Sequence, residues 1–352
     1  MRIAIITDAW HPQINGVVRT LEKTIDWLEK QGHEILVVEP SGFRTCPLPT
    51  YPEIRLSLFP GRRVSHMLDA FSPDAIHIST EGPLGQAARK YAIDRNLAFT
   101  TAYHTRFPEY LRKRLPIPLS ISYMWVRWFH NAAQAVMVST ETLRNELAEQ
   151  GLKNLVIMSC GVDTELFQPR KHRNLLGGKT PVFVYLGRVS VEKNIEAFLS
   201  LDLPGSMHVI GDGPALQSLK AKYPGVRFHG YKTDKDLANH LASADVMVFP
   251  SRTDTFGLVI LEALACGVPV AAYSVQGPMD IIENGRSGFA GDDLREAAMR
   301  ALEVDPLKCR DRALEYSWER VGQQFFDNLI PVEGTRNEAA FQAASSDWLG
   351  KS

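Results

Sequence analysis

The sequence predicts an α/β protein built from two doubly wound parallel sheets. Short apolar runs recur along the chain and alternate with helical patterns, as parallel strands joined by crossover helices require. The runs fall into two series of five or six. With 352 residues and 45% hydrophobic content, the chain exceeds one ordinary core, so two domains are expected.

The first series is Ile3–Ile6, Ile35–Val38, Ala75–Ile78, Ala98–Thr101, Ala135–Val138 and Leu155–Met158. Helical patterns at Val17–Lys30, Leu84–Asp94 and Glu141–Glu149 lie between them. The second series is Val182–Leu186, Met207–Ile210, Val226–Phe228, Val246–Phe249 and Val268–Ala272. Its helices are Val191–Leu199, Pro214–Lys222, Asp234–Leu241 and one from about Leu258, which Gly267 stops. Each series predicts a Rossmann-like domain. The polar, basic run Phe167–Arg173 breaks the periodicity, so the domains are expected at residues 1–168 and 169–317. Proline-rich Arg44–Pro60 reads as a weaker linker. Trp318–Leu329 is amphipathic, and residues 318–352 are expected to pack back on the first domain. No repeat of fixed period argues for a solenoid or propeller.

Bulk composition removes several classes. A net charge of -1, from 39 basic and 40 acidic residues, argues against a general nucleic-acid binder. Cys46, Cys160, Cys266 and Cys309 lie far apart with no C-x-x-C pair, as reduced cytosolic thiols do. The apolar N-terminal run is too short for a secretory signal, and no apolar stretch is long enough to span a membrane. No H-E-x-x-H, Cys/His cluster or G-x-S-x-G occurs, so the expectation is no metal and no cofactor.

Polar loops at the carboxyl ends of parallel strands are where such sheets bind ligands. The loop Ser251–Gly257 follows a buried strand, opens a helix, and is bracketed by Asp254 and Glu262. Gly187–Asn194 places Arg188 and Lys193 after another strand, where two cations can neutralise a diphosphate leaving group. Two solvated surface cations are the plainer alternative. Gly211-Asp212-Gly213-Pro214 has two glycines of a dinucleotide fingerprint and lacks the third. Tyr231 can flank a nucleobase or simply end a strand. In the first half, Asn15-Gly16 opens a helix whose N-terminal amides are available to an anion, or forms an ordinary turn. His104 can donate to a sugar hydroxyl or be a structural histidine.

One stretch suggests a surface. Arg112, Lys113 and Arg114 adjoin Leu115 and Ile117, a composition suited to an anionic membrane face. Phe59-Pro60-Gly61-Arg62-Arg63 can add to it. Ile121, Met124, Trp125 and Trp128 follow at helical core spacing and are expected to pack against the first domain.

Together the pieces resemble the retaining glycosyltransferases of family 4. The likeness runs from Thr7 to about Trp318 and is most specific at Gly187-Arg188…Glu192-Lys193-Asn194 and Asp254-Thr255-Phe256-Gly257…Glu262-Ala263. The resemblance implies the GT-B fold, two Rossmann-like domains facing across a cleft. It implies that Arg188 and Lys193 contact the diphosphate of a nucleotide-sugar, that Glu262 binds the ribose, and that the amides of Thr255, Phe256 and Gly257 contact sugar and phosphate. His104 would approach the sugar, and Gly16 would line the phosphate. The family's E-x7-E motif begins here with Asp254, one methylene short. Thr7-Asp8…Pro12…Asn15-Gly16-Val17-Val18 resembles the branch that makes glycosyl-diacylglycerols or phosphatidylinositol mannosides. The implied reaction is metal-independent, retaining transfer of a hexose, from a UDP-sugar by preference, to a lipid acceptor such as diacylglycerol. The enzyme would be cytoplasmic and peripheral on the inner face of the plasma membrane. A GDP-mannose-dependent α-mannosyltransferase acting on a lipid or soluble glycan, a nucleotide-sugar epimerase, and a non-transferring sugar-nucleotide-binding protein stand as alternatives.

Overall fold

The computed structural model describes residues 1–13, 15–48, 51–104, 108, 112, 118–170, 175–254 and 256–333. The chain divides into two compact units, Met1–Ser159 with the segment that begins at Glu319, and Cys160–Trp318.

The first unit contains β1 (Arg2–Ile6), α1 (Gly16–Lys30), β2 (Glu34–Val38), β3 (Thr45–Leu48), β4 (Tyr51–Ser57), α2 (Gly61–Phe71), β5 (Ala75–Ile78) and α3 (Pro83–Asp94). It continues with β6 (Thr100–Ala102), α4 (Leu119–His130), β7 (Ala135–Val138), α5 (Glu141–Glu149) and β8 (Leu155–Ile157). Its main sheet is parallel, in the order β2-β1-β5-β6-β7-β8. Ile3, Ala4, Ile5 and Ile6 are wholly buried, because helices cover both faces of such a sheet and leave no polar side. The chain steps outward from β1 to β2, then returns to β5 on the other side of β1. That reversal is the topological switch point of the sheet.

Three sequence expectations change here. Arg44–Pro60 is not a linker: it forms the antiparallel pair β3–β4, whose register shifts at Pro47/Leu48, and leads into α2. Prolines are tolerated there because the pair stands apart from the main sheet. In α4 most of the expected core face is turned outward, while Trp125 stays half-buried against the core. Ile121, Met124 and Trp128 are 52–60% exposed, while Ser122, Tyr123, Val126, Phe129 and His130 are buried. The inward polar groups are tolerated where they find partners, as His130 does in Thr101 Oγ1 at 2.9 Å. Finally, residues 160–168 belong to the second unit. Val162 and Phe167 lie in its core, and Arg310 donates to the carbonyls of Thr164 and Phe167 at 2.8 and 2.6 Å.

The second unit contains β9 (Val182–Leu186), a 3-10 turn (Val191–Lys193), α6 (Ile195–Leu199), β10 (Ser206–Ile210), α7 (Leu216–Lys222), β11 (Arg227–Phe228) and α8 (Asp234–Leu241). It continues with β12 (Val246–Phe249), α9 (Leu258–Ala265), β13 (Val270–Tyr273), α10 (Pro278–Ile281), β14 (Gly288–Gly291), α11 (Leu294–Ala301) and α12 (Pro306–Leu314). The sheet is parallel, in the order β11-β10-β9-β12-β13-β14, so its switch point lies between β9 and β12. The helix expected over Val191–Leu199 is broken at Asn194, which takes a left-handed φ of 54°. A last helix, α13 (Trp318–Asn328), is built into the first unit from Glu319 onward. Its Phe325 meets His77 edge-on at 4.8 Å, and a Cβ on Gly322 would come within 2.4 Å of the Trp27 indole.

Candidate active site

The loops after β9 and β12 flank the switch point of the second unit, and side chains tie them together. Asn194 Nδ2 donates to the Pro250 carbonyl at 3.0 Å. Lys193 Nζ pairs with Asp254 Oδ1, joining two residues that the sequence treated separately. The pair is 28% and 14% exposed, so water screens it only in part. Asp254 Oδ2 is buried with no hydrogen-bond partner, as are the hydroxyls of Ser190 and Ser251 on the same two loops. Buried polar atoms are normally satisfied, so three orphans at one strand edge mark a place prepared for a polar ligand.

Glycines set how closely the loops approach. A Cβ on Gly211 would lie 1.9 Å from the Gly187 carbonyl oxygen, and one on Gly213 would lie 2.3 Å from that of Val189. The weak Gly211-Asp212-Gly213 fingerprint is therefore a packing device that seats the β10 loop on the β9 loop. Tyr185 supports it from below, donating its phenol proton to the Arg188 carbonyl at 2.7 Å. Burial, then the charges of Asp254 and Glu192, push that phenol up. Sequence reading missed Tyr185, although one hydroxyl-bearing ring in the buried run Val-Phe-Val-Tyr-Leu requires a polar partner.

On the other side, Gly277 presses against the loop after β12. At φ 86°, its missing Cβ would fall 2.8 Å from the Asp254 carbonyl oxygen and 3.3 Å from the nitrogen and oxygen of Phe256. Arg252 stacks over Tyr273 with its guanidinium carbon 3.6 Å from the ring centroid. Neither contact was visible in the sequence. Phe256 itself is buried, edge-on to Tyr316 at 6.0 Å, so its ring anchors the loop. Gly257 caps α9 at φ 94°, and Thr255 lies outside the described residues. Glu262 is buried in the otherwise apolar helix α9. Arg188 is exposed, and Tyr231 is 54% exposed at the edge after β11.

In the first unit His104 follows β6 at the carboxyl edge of its sheet. Burial holds its imidazole down to about 4, against the opposing pull of Glu81 and with a further push from His130. It is therefore a neutral hydrogen-bonding group near pH 7. Gly16 opens α1, but the amides behind it are not open to an anion. Asn15 Oδ1 accepts from Val17 N and Val18 N at 3.0 and 3.1 Å. An Asn at the N-cap takes the amides that the sequence reading left free. Arg112 is exposed, whereas Lys113, Arg114, Leu115 and Ile117 lie outside the described residues.

Comparison with known proteins agrees with this arrangement. Residues 180–304 match the profile of Glycosyl transferases group 1, and residues 14–166 match that of Glycosyltransferase Family 4. The chain is 29% identical to a GDP-mannose-dependent alpha-mannosyltransferase of Mycobacterium tuberculosis, over 97% of this chain and 99% of that one. It is 27% identical to an alpha-monoglucosyldiacylglycerol synthase of Streptococcus pneumoniae, over 94% and 86% of the two chains. Among solved structures, sucrose-phosphate synthase from Thermosynechococcus elongatus superimposes with a TM-score of 0.71 at 18% identity, over 92% and 97%, a likeness of fold. With two parallel sheets, a switch-point site that ties Lys193 to Asp254, and both halves matched by glycosyltransferase profiles, the chain belongs to the family 4 glycosyltransferases and has their GT-B fold.

Proposed function

We propose that the protein transfers a hexose from a nucleotide-sugar to a hydroxyl of a membrane lipid, with retention of anomeric configuration. The observation that carries this reading is the polar cluster at the β9–β12 switch point: Lys193 and Asp254 paired, with Asp254 Oδ2 and two serine hydroxyls buried and unpartnered. A glycosyl diphosphate brings both an anion for Lys193 and hydroxyls for Asp254. Arg188 and Lys193 offset charge building on the leaving diphosphate, the demand such sites mainly meet. Glu262 holds the ribose, and neutral His104 donates to the sugar. No metal enters this scheme. Relatives spanning nearly the whole chain are named as GDP-mannose-dependent, so mannose from GDP-mannose is the first reading of the donor. Transfer from a UDP-hexose to diacylglycerol is the second, favoured by the likeness to the monoglucosyldiacylglycerol synthase.

A peripheral seat on an anionic membrane accords with a lipid acceptor. Phe59 is 96% exposed beside exposed Arg62 and Arg63, α4 turns Ile121, Met124 and Trp128 outward, and Arg112 is exposed. Among the described residues no helix is long and apolar enough to cross a membrane. The reading is tested by incubating the protein with a panel of GDP- and UDP-sugars and a bacterial lipid extract, with products read by mass spectrometry. A new glycolipid of one sugar is the expected result. Donor hydrolysis or free oligosaccharide with no glycolipid would overturn the lipid assignment.

A further inference from the structure

Each unit is a doubly wound parallel sheet with a single switch point: β9/β12 in the second, β1/β5 in the first. In the second unit the strand beyond the switch is β12, and the loop after it carries Asp254. In the first unit the strand beyond the switch is β5, and the loop after it carries Glu81. We propose that Glu81 is an acceptor-binding residue, a carboxylate at the first unit's switch point that accepts a hydrogen bond from a hydroxyl of an uncharged polyol headgroup. This rests on the reading of the protein as a transferase to a hydroxyl-bearing acceptor, and it deepens that reading.

The loop is held for the purpose. Asp8, from the loop after β1, lies beneath it. Its carboxylate accepts from the amides of Leu84 and Gly85 at the start of α3, at 2.9 and 3.3 Å, and from Thr80 Oγ1 at 2.9 Å. Asp8 N donates back to Thr80 Oγ1 at 2.7 Å. No side chain fits between them: a Cβ on Gly82 would lie 2.4 Å from the Asp8 carboxyl carbon. Asp8 is thereby fully used in fixing the loop, and it leaves Glu81 as the carboxylate that can reach a ligand.

Glu81 is oriented as well as placed. His130, wholly buried, hydrogen-bonds Glu81 Oε1 through Nε2 at 3.1 Å, while its Nδ1 bonds Thr101 Oγ1 at 2.9 Å. Thr101 is on β6, the next strand of the sheet, so the sheet itself sets the imidazole and the imidazole sets the carboxylate. The pair is 0% exposed at the histidine and 20% exposed at the glutamate, so the surface is reached at the carboxylate end. Glu81 also lies within electrostatic reach of His104, the residue expected at the transferred sugar. Charge selects the ligand class. Asp8 and Glu81 feel each other's charge, and none of the Lys or Arg ion pairs among the described residues involves either. A phosphate at this crevice would meet like charge, whereas a neutral hydroxyl meets an acceptor already aimed.

The test compares the full-length parent with Glu81→Gln in mixed micelles of dioleoylglycerol or phosphatidylinositol, with GDP-mannose and UDP-glucose as donors. The Gln variant keeps an oxygen for His130 and removes the carboxylate. Expected are turnover favouring dioleoylglycerol, an acceptor kcat/KM about ten- to hundred-fold lower in the variant, as for loss of one hydrogen bond to a charged group, and unchanged calorimetric binding of GDP and UDP. A variant within about two-fold of the parent, a parent that prefers phosphatidylinositol, or an equal loss of nucleotide affinity would each overturn the inference. Saturation-transfer NMR on glycerol separates it from the lipid reading. A parent that makes no glycolipid, yet loses its glycerol signal in Glu81→Gln, removes the lipid acceptor and keeps the polyol site. Equal signals remove the polyol site. Glu81→Asp serves if the Gln variant melts early.

Discussion

Replacing Gly277 with Ala probes how the loop that carries Asp254 is held. Two costs follow from the structure. At φ 86° and ψ -75° an alanine is held in the strained γ-turn region, about 1–3 kcal/mol above its ordinary conformations. Its Cβ would also stand 2.8 Å from the Asp254 carbonyl oxygen, inside ordinary contact distance. That oxygen is backbone and cannot swing aside, so the loop after β12 must shift by about half an ångström. For a unit of this size the strain alone lowers the melting midpoint by roughly 2–12 °C. The shift acts on catalysis more strongly, because misplacing reacting groups by about 1 Å can cost about a hundred-fold. The expected result for Gly277→Ala is a kcat/KM lowered about ten-fold or more, with a modest fall in melting midpoint by scanning calorimetry. Gly277→Ala with parental kinetics and midpoint would refute the claim that this close approach sets the position of Asp254.

Four further outcomes are expected. Arg188→Ala should leave the melting midpoint unchanged, since the side chain is exposed, yet lower kcat about 10²–10³-fold by removing a charge from the leaving diphosphate. Lys193→Ala should lose activity and also about 1–3 kcal/mol of stability, because it strands the buried Asp254 carboxylate; parental denaturant midpoints would contradict that pairing. Burial holds His77 at about 3 and both His104 and His208 at about 4. All three lie below the unfolded value of about 6.5, so the unfolded chain binds more protons. Stability should be full above about pH 6.5 and drain away as pH falls towards about 4, at up to about 1.4 kcal/mol per pH unit for each group. A midpoint constant across that window would sink the assignment. Phe59→Asp should abolish flotation with phosphatidylglycerol vesicles, and neutralising Arg62 and Arg63 should weaken it roughly ten- to thirty-fold; flotation as in the parent would exclude this surface.

The sheets were legible in the sequence because parallel strands buried on both faces are unbroken apolar runs, such as Val246–Phe249. β14 was not, since Gly-Phe-Ala-Gly reads as a turn and becomes a strand only by pairing with β13. α4 misled for a related reason. Periodicity finds an apolar stripe but not which stripe faces inward, and here His130 goes in while Trp128 stays out under Arg89, whose guanidinium carbon is 3.9 Å from the ring. At the site, Arg188, Lys193 and Asp254 stood out as charges beside strand ends, and Glu262 as a charge in an otherwise apolar helix. Tyr185, Gly277, Asp8 and Glu81 did not, because their roles depend on neighbours distant in sequence. Asp8 meets Leu84, and Gly277 meets Asp254, only once the sheets are wound.

Lys193 and Asp254 neutralise each other, and that makes the pair a two-key lock. A free diphosphate that draws Lys193 away leaves Asp254 as an uncompensated, largely buried charge, which is costly. Only a molecule carrying both groups on one backbone, at the right spacing, frees each residue by satisfying the other. The lock also turns back by itself. Once the sugar has departed, the remaining nucleotide satisfies Lys193 alone, and Asp254 competes for that cation again. On the proposed roles of the two residues, intact donor would be held in preference to its own spent product, through one ion pair.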